Sequence, residues 1–250
     1  MVLTRVSSES SASGLALPPP FTAVRLREMG DAFTRAEAIA ARSGAGTLVY
    51  VGRFDLAEFA LVLEPAEPLR TARRVFYAGM AALADMLAAH AAPETAIGIT
   101  WPDAVYVNYG LVGGGRLAWP ERTSEDETPP WLVFGAMVRT ASKAGFDPGA
   151  DLAATTLEDE GFGDVTADRM IESFARHFMV AIDAWQESGF GTVARDYVQR
   201  LAIEKGLRRD IDENGDLLLR SAPGGSKRKS LVQALAAPSW IDPKTKVPYA

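Results

Sequence analysis

Residues Thr100 to Pro120 read TWPDAVYVNYGLVGGGRLAWP, the densest concentration of unusual residues in the chain. Ile97–Trp101, Val105–Asn108 and Leu111–Trp119 alternate at strand spacing, and Tyr109-Gly110 between the last two marks a tight turn. Gly113, Gly114 and Gly115 interrupt the third of these runs. Glycine weakens a strand, so a triplet points to a bulge or to close approach by a ligand or another backbone. The plainer account is tight packing between a sheet and a helix. The alternative is a ligand, in which case Gly113–Gly115 adjoin the largest concave pocket with Trp101 in its wall. Asp103, just ahead of the hairpin, either caps a turn or helps to hold Mg²⁺ or a ligand hydroxyl.

Outward from this stretch the pattern is mixed. Residues 1–20 are Ser-rich and end in Pro18-Pro19-Pro20, which predicts a flexible leader with order beginning near Phe21. A helix is expected from Asp31, its cap, to Gly44. Short strands follow at Thr47–Val51 and Phe59–Leu63, then a long helix over Arg70–His90 and a further strand at Trp131–Thr140. Glu121–Pro130 reads as a surface loop. Thr166 caps a helix that Gly189 stops, and another spans roughly residues 192–204. Glu213-Asn214-Gly215 sits between Leu207–Ile211 and Asp216–Arg220, a hairpin signal, and a short helix is expected in the Pro-rich end. The fold class expected is α+β, with a mixed, mostly antiparallel sheet and packed helices over residues 21–206. A small C-terminal module, residues 207–250, is expected to be separable from it.

Composition bounds the chemistry. A chain of 250 residues with 48% hydrophobic and 23% charged residues has enough apolar material for one large core. It contains no cysteine, which removes disulfides, thiolate nucleophiles and cysteine metal sites. His90 and His177 are the two histidines. A net charge of −6 repels phosphate backbones, so nucleic-acid binding is not expected. No apolar stretch approaches the length of a membrane span and the N-terminus lacks a signal-peptide core, so a cytoplasmic location is expected.

Trp-Pro-acid, an alternating strand, Asn108, a turn and then an aliphatic residue with glycines resemble the central motif of the biotin–protein and lipoate–protein ligases. That motif runs K-W-P-N-D-(I/V)-x-(V/L)-N and then K-(V/I)-(A/G)-G. GTLVYVGRFDLAEFALVLEP (46–65) is similar to two strands of that family, and TTLEDEGF (155–162) with WQESGFGTVARDYVQRL (185–201) is similar to the end of its catalytic domain. IDENGDLLLR (211–220) resembles the hairpin of its C-terminal domain. The resemblance implies an ATP-dependent acid–protein ligase that forms an acyl-adenylate. ATP and Mg²⁺ are the implied cofactors, biotin or lipoate/octanoate the ligand, and an acyl-carrier-type acceptor protein the partner. It also implies ligand contacts at Trp101, Pro102, Asn108, Gly113, Gly114 and Gly115, with Asp103 as the Mg²⁺ or ribose contact.

The departures bear on activity. Thr100 and Leu111 stand where the family has lysines, the Asn-Asp pair after the proline becomes Asp103-Ala104, and the Gly-Arg-Gly-Arg loop is reduced to Gly52-Arg53. The family's Gly-x-Gly-x-Asn strand is Gly135-Ala136-Met137-Val138-Arg139. The lysines are Lys143, Lys205, Lys227, Lys229, Lys244 and Lys246, so residues 21–200 contain one. An acyl-adenylate forms only when a carboxylate is brought against a triphosphate, which calls for fixed cations. Arginine can take that part through bidentate phosphate contacts, making Arg53 and Arg116 the candidate catalytic cations and Arg139 a distant third. Strand alternation puts Arg116 on the face of Gly114, turned toward solvent. The family arrangement also implies that Arg53 and Asp103 converge on one ligand. Two readings follow: a divergent ligase-like protein with weak or altered activity, or a non-catalytic binding or scaffold protein that keeps the fold.

Overall fold

A computed structural model describes residues 14–142, 154–163, 165–202, 205–221 and 224–249. The first thirteen residues of the expected leader, Lys143, and residue 204 at the end of the expected second helix lie outside them. The rest of the leader is held rather than loose. Leu15 is buried in the main core, and the backbone N–H of Ala16 donates to Glu172 at 2.7 Å.

The chain runs β1 (Thr22–Leu26), α1 (Ala32–Ser43), β2 (Thr47–Val51), β3 (Leu56–Leu63), α2 (Leu69–Ala72) and α3 (Val75–Ala88). It continues through β4 (Ile97–Thr100), β5 (Ala104–Val107), β6 (Gly110–Ala118), β7 (Leu132–Arg139), α4 (Ala167–Ser188) and α5 (Phe190–Gln199). It ends with β8 (Leu207–Ile211), β9 (Leu217–Ser221), β10 (Gly225–Lys229) and α6 (Leu231–Leu235). A seven-stranded sheet has the order β1-β2-β3-β7-β6-β5-β4, and a three-stranded sheet has the order β10-β9-β8. Only the β1–β2 pair of the large sheet is parallel. The fold is α+β with a mixed, mostly antiparallel sheet, as the pattern predicts.

Several boundaries differ from expectation for local reasons. The helix expected over Arg70–His90 breaks at Arg73-Arg74, where Phe76 and Tyr77 donate to carbonyls three residues back. Arg73 is buried there in an ion pair with Glu125. The hairpin turn is centred one residue early, on Asn108 (φ 47°) and Tyr109 (φ 73°), because Val107 pairs with Gly110. Helix α5 stops at Gln199 because Arg200 to Ala202 run beside β4, with Ile99 N–H donating to Arg200 at 2.8 Å. The edge strands β1 and β10 escape a pattern search, since β10 (GSKRK) is polar throughout.

Phe134, on β7, organises the face of the sheet that packs against α3 and α4. Its ring stacks on Phe174 at 5.6 Å, lies 6.0 Å from Phe76, leaves no room for a side chain at Gly79 of α3, and with Met80 crowds Gly115 of β6. A Cβ at Gly79 would sit 2.3 Å from the ring. Helix α1 covers β2, β3 and β7 on the other face through Ala36, Ile39 and Ala40 against Val49, Val51, Ala60 and Val62, with Phe33 pressed over Gly135.

The apolar cluster of the main core continues without a gap into Ile211, Leu217, Leu219, Leu231 and Leu235. Tyr77 Oη donates to the Gly215 carbonyl at 2.5 Å. A division at residue 206, made on the hairpin signal, therefore crosses a shared core, and separability of the C-terminal module is a proposal that this packing opposes.

Gly79→Ala should gain up to about 1 kcal/mol of helix propensity and lose roughly 1–3 kcal/mol by overpacking against Phe134. Urea unfolding should therefore show net destabilisation. A more stable variant would mean that α3 can slide away from the sheet.

Candidate ligand face of the central sheet

Glu58 interrupts the apolar strand LAEFALVL and points to the α1 side of the sheet, where it is 4% exposed. One of its oxygens accepts from the backbone N–H of Ala32 at 2.9 Å, at the start of α1, where unpaired N–H groups and the helix dipole favour an anion. Asp31 caps the same helix, accepting from Thr34 N–H at 2.9 Å and Thr34 Oγ at 2.8 Å.

Two arginines meet these acids. Arg53 binds Asp55 with two parallel bonds, Nε to Oδ1 at 2.8 Å and Nη2 to Oδ2 at 2.6 Å, and lies 3.8 Å from Glu58. Arg116 reaches Asp31 at 3.4 Å and stacks 4.0 Å above the Phe33 ring. Its side chain is on the face of Gly114, as alternation predicts, and is mostly buried under α1 rather than in solvent.

The titration tendencies follow from this crowding. Burial raises the Glu58 carboxyl above its ordinary value, with Asp31 adding to it, against Ala32 N–H, Arg53 and Arg116. Burial lowers the Arg116 guanidinium, although Asp31, Glu58 and Glu37 all oppose the shift. Burial also pushes Asp31 up, but its bonds to Thr34 and the charge of Arg116 prevail and leave it lowered.

Leu111 lies farther along the same face. It packs with Leu56, Ala104 and Met137, and into this cluster comes a side chain from the far end of the chain, Trp240. The indole is fully buried, its Nε1 donates to the Gly115 carbonyl at 3.0 Å, and a Cβ at Gly114 would lie 2.5 Å from it. The carboxylate of Asp103, 1% exposed, is taken up by the neighbouring residue: Ser239 N–H donates to it at 2.9 Å and Ser239 Oγ at 2.6 Å. Burial raises the Asp103 carboxyl despite those bonds.

The expected pocket at Gly113–Gly115 is therefore packed. Gly113 backs against the Met137 carbonyl, Gly114 against the Asp103 carbonyl and Trp240, and Gly115 against Met80 and Phe134. An open cavity of about 620 Å³ lies instead beside Arg25, Gly52, Arg53, Thr140 and the start of α4. Trp101 is not in the wall expected of it. It faces the opposite side of the sheet, donating to Tyr77 Oη at 3.1 Å beside a cavity of about 100 Å³ shared with the C-terminal sheet. The Pro102 carbonyl accepts from Tyr197 Oη at 2.7 Å, and Asn108 fastens its turn to Ala96 N–H and Glu160. Both of these contacts are structural.

Arg53 and Asp103 lie at the same face but do not share a cavity. A space of about 270 Å³ next to Arg53 and Asp55 is walled by Asp242, Thr245, Val247 and Pro248, from the segment that also occupies Asp103. Ser239 donates to both oxygens of Asp103, and the described residues contain no group of three or more His, Asp or Glu able to hold a metal. Sequence reasoning missed Glu58 and Trp240 and read Asp31 as a helix cap alone. A carboxylate inside an apolar strand and a tryptophan inside a polar, Pro-rich end were the available signals.

The profile of the biotin/lipoate A/B protein ligase family matches residues 17–199. No curated protein sequence matches the chain. Among solved structures, a biotin protein ligase-like protein of unknown function from Silicibacter sp. TM1040 is similar, with 28% identity and a TM-score of 0.76 over 88% of this chain and 98% of that one. The biotin protein ligase of Aquifex aeolicus in complex with biotin and ATP aligns at 14% identity and a TM-score of 0.64, covering 83% and 94%. That of Leishmania major with biotinyl-5-AMP aligns at 14% and 0.52, covering 85% and 99%. At such identities these two ligases bear on the fold alone.

A carboxyl whose folded value is raised adds stability below its ordinary value, and that contribution is lost as pH rises through the folded value. The unfolding free energy of the wild type relative to Asp103→Asn should therefore fall as pH rises from about 3 to about 7. Urea titrations of both proteins across that range check it, and a difference that grows with pH would reverse the assigned shift.

Proposed function

The chain belongs to the biotin/lipoate A/B protein ligase family, and we propose that it is a ligand-binding member with weak or altered ligase activity. Its ligand would be a carboxylic acid of the biotin, lipoate or octanoate kind, or the acid's adenylate. The seat is the sheet face carrying Glu58, Leu111, Gly114 and Arg116. One observation carries this reading: the cations that adenylation needs are replaced or already neutralised. Leu111 packs in an apolar cluster, and Arg53 and Arg116 are committed to Asp55, Glu58 and Asp31.

A triphosphate placed beside those acids meets more negative than positive charge. In a site shielded from water that repulsion is only slightly screened. Losing one preorganised contact to developing charge costs about 3–4 kcal/mol, or roughly 10²–10³ in rate, and two such losses leave little turnover. The apolar walls at Leu56, Leu111 and Met137 need no cation to hold an acyl chain or ring. A non-catalytic scaffold is the second reading, favoured by the same missing lysines.

Pyrophosphate release from ATP with biotin, lipoate or octanoate, and thermal shift with the same acids, separate the two. A ligand at about 100 times its Kd stabilises the fold by roughly 2.7 kcal/mol, so binding should raise the Tm while pyrophosphate stays near background. Release at ordinary ligase rates would overturn the weak-activity reading. No thermal shift with any of the acids would leave the scaffold.

A further inference from the structure

Residues 239–249 belong to neither sheet. They close on themselves: Asp242 N–H donates to Val247 at 2.9 Å, Lys246 N–H to Asp242 at 2.8 Å, and Tyr249 N–H to Trp240 at 2.9 Å, with Ile241 bridged to Pro248. The Asp242 side chain accepts from Lys244 N–H at 2.8 Å and Thr245 Oγ at 3.1 Å. This small strap therefore satisfies much of its own backbone without the sheet beneath it. Exposed Ala236 and Ala237 connect it to α6.

Its attachments to the sheet are apolar and polar: Ile241 and Val247 pack with Leu56, Ala104, Leu111 and Met137. Ser239 holds Asp103, the Trp240 indole fills the space over Gly114, and Arg139 donates to the carbonyls of Pro248 and Tyr249. On the other side, toward Arg53 and Asp55, the strap leaves a space of about 270 Å³ open. Beside Gly114, where the Asp103 carbonyl also closes the Cβ position, the Trp240 ring fills the space, and the buried Asp103 carboxylate takes two donors, an N–H and an Oγ, from one exposed serine.

We propose that this strap is a resident occupant of the ligand face, which a small-molecule ligand displaces by taking the places of Trp240 and Ser239. The occupant describes the ligand's chemistry: a flat ring of about indole size with an N–H donor for the Gly115 carbonyl, and beside it a hydroxyl or amide donor for Asp103. The inference rests on the sheet face being a ligand seat, and it adds that strap and ligand exclude each other. Apparent affinity is then reduced by the fraction of molecules with the strap open, so loosening the strap should tighten binding.

Calorimetric titration of biotin, lipoate and octanoate into the full-length wild type, Trp240→Ala and Ser239→Ala tests it, with hydrogen exchange on the wild type. Trp240→Ala should bind biotin, the one acid of the three with ring N–H donors, about tenfold or more tightly than the wild type, Ser239→Ala by a smaller factor. A saturating acid should speed exchange at Asp242, Lys246 and Tyr249 in the wild type. Should Trp240→Ala fail to fold, Ser239→Ala carries the comparison. Equal affinities in wild type and variants would overturn the proposal. If no acid binds any of the proteins, the acid-binding reading fails, and the strap is judged by exchange alone. Strap amides that open separately from β3 and β7 would sustain it, with free indole as the probe of the slot in Trp240→Ala. Strap amides that exchange only together with those strands would overturn it.

Discussion

The ring of Phe134 sets the thickness of the molecule. From β7 it stacks on Phe174, demands that Gly79 on α3 carry no side chain, and together with Met80 closes the space over Gly115 on β6. Interiors pack at crystal-like density, so one ring in that position fixes how closely α3 approaches the sheet and how β6 lies beside β7. The same ladder then determines what the opposite face can hold. With Gly115 turned toward Phe134, Gly114 and Arg116 must face the other way, one leaving a slot and the other a charge.

Charge on that face is organised around the start of α1. Glu58 and Asp31 satisfy the helix's exposed N–H groups, and the arginines gather around them. Elsewhere a helix start of this kind is a ready seat for a phosphate or carboxylate from solution. Here the protein supplies its own carboxylate from the middle of a β-strand. Burying Glu58 requires the nearby arginines, because an unpaired buried charge is strongly destabilising, and committing them to that task withdraws them from a ligand's phosphates.

The glycine triplet shows how one sequence feature can have two causes at once. Packing explains Gly113 and Gly115, each pressed against β7 or the helices above it. Gly114 is pressed by the Asp103 carbonyl too, and it also meets Trp240, from a segment more than a hundred residues distant in sequence. Close approach of a backbone or ring is the common physical reason, and only the identity of the approaching group separates a core position from a ligand slot.

Much of the fold was legible in the sequence because its signals are local. Strand alternation around the glycines, Thr166 and Gly189 at the ends of α4, Asp31 as a cap and the Asn214-Gly215 turn each act through residues a few positions away. That Arg116 shares the face of Gly114 was also readable, since alternation holds beyond the irregularity ahead of Gly113. Tertiary structure decided what alternation cannot: that Trp101 and Gly114 lie on opposite faces, that Arg53 turns to Asp55, and that Asp103 is bound by Ser239. Those outcomes depend on pairings between distant segments, whose energies come from burial and charge neutralisation in a space that exists only after the sheet has formed. Sequence spacing therefore singled out some residues of this face, Asp103, Gly114 and Arg116, and the folded chain brought Glu58 and Trp240 to them.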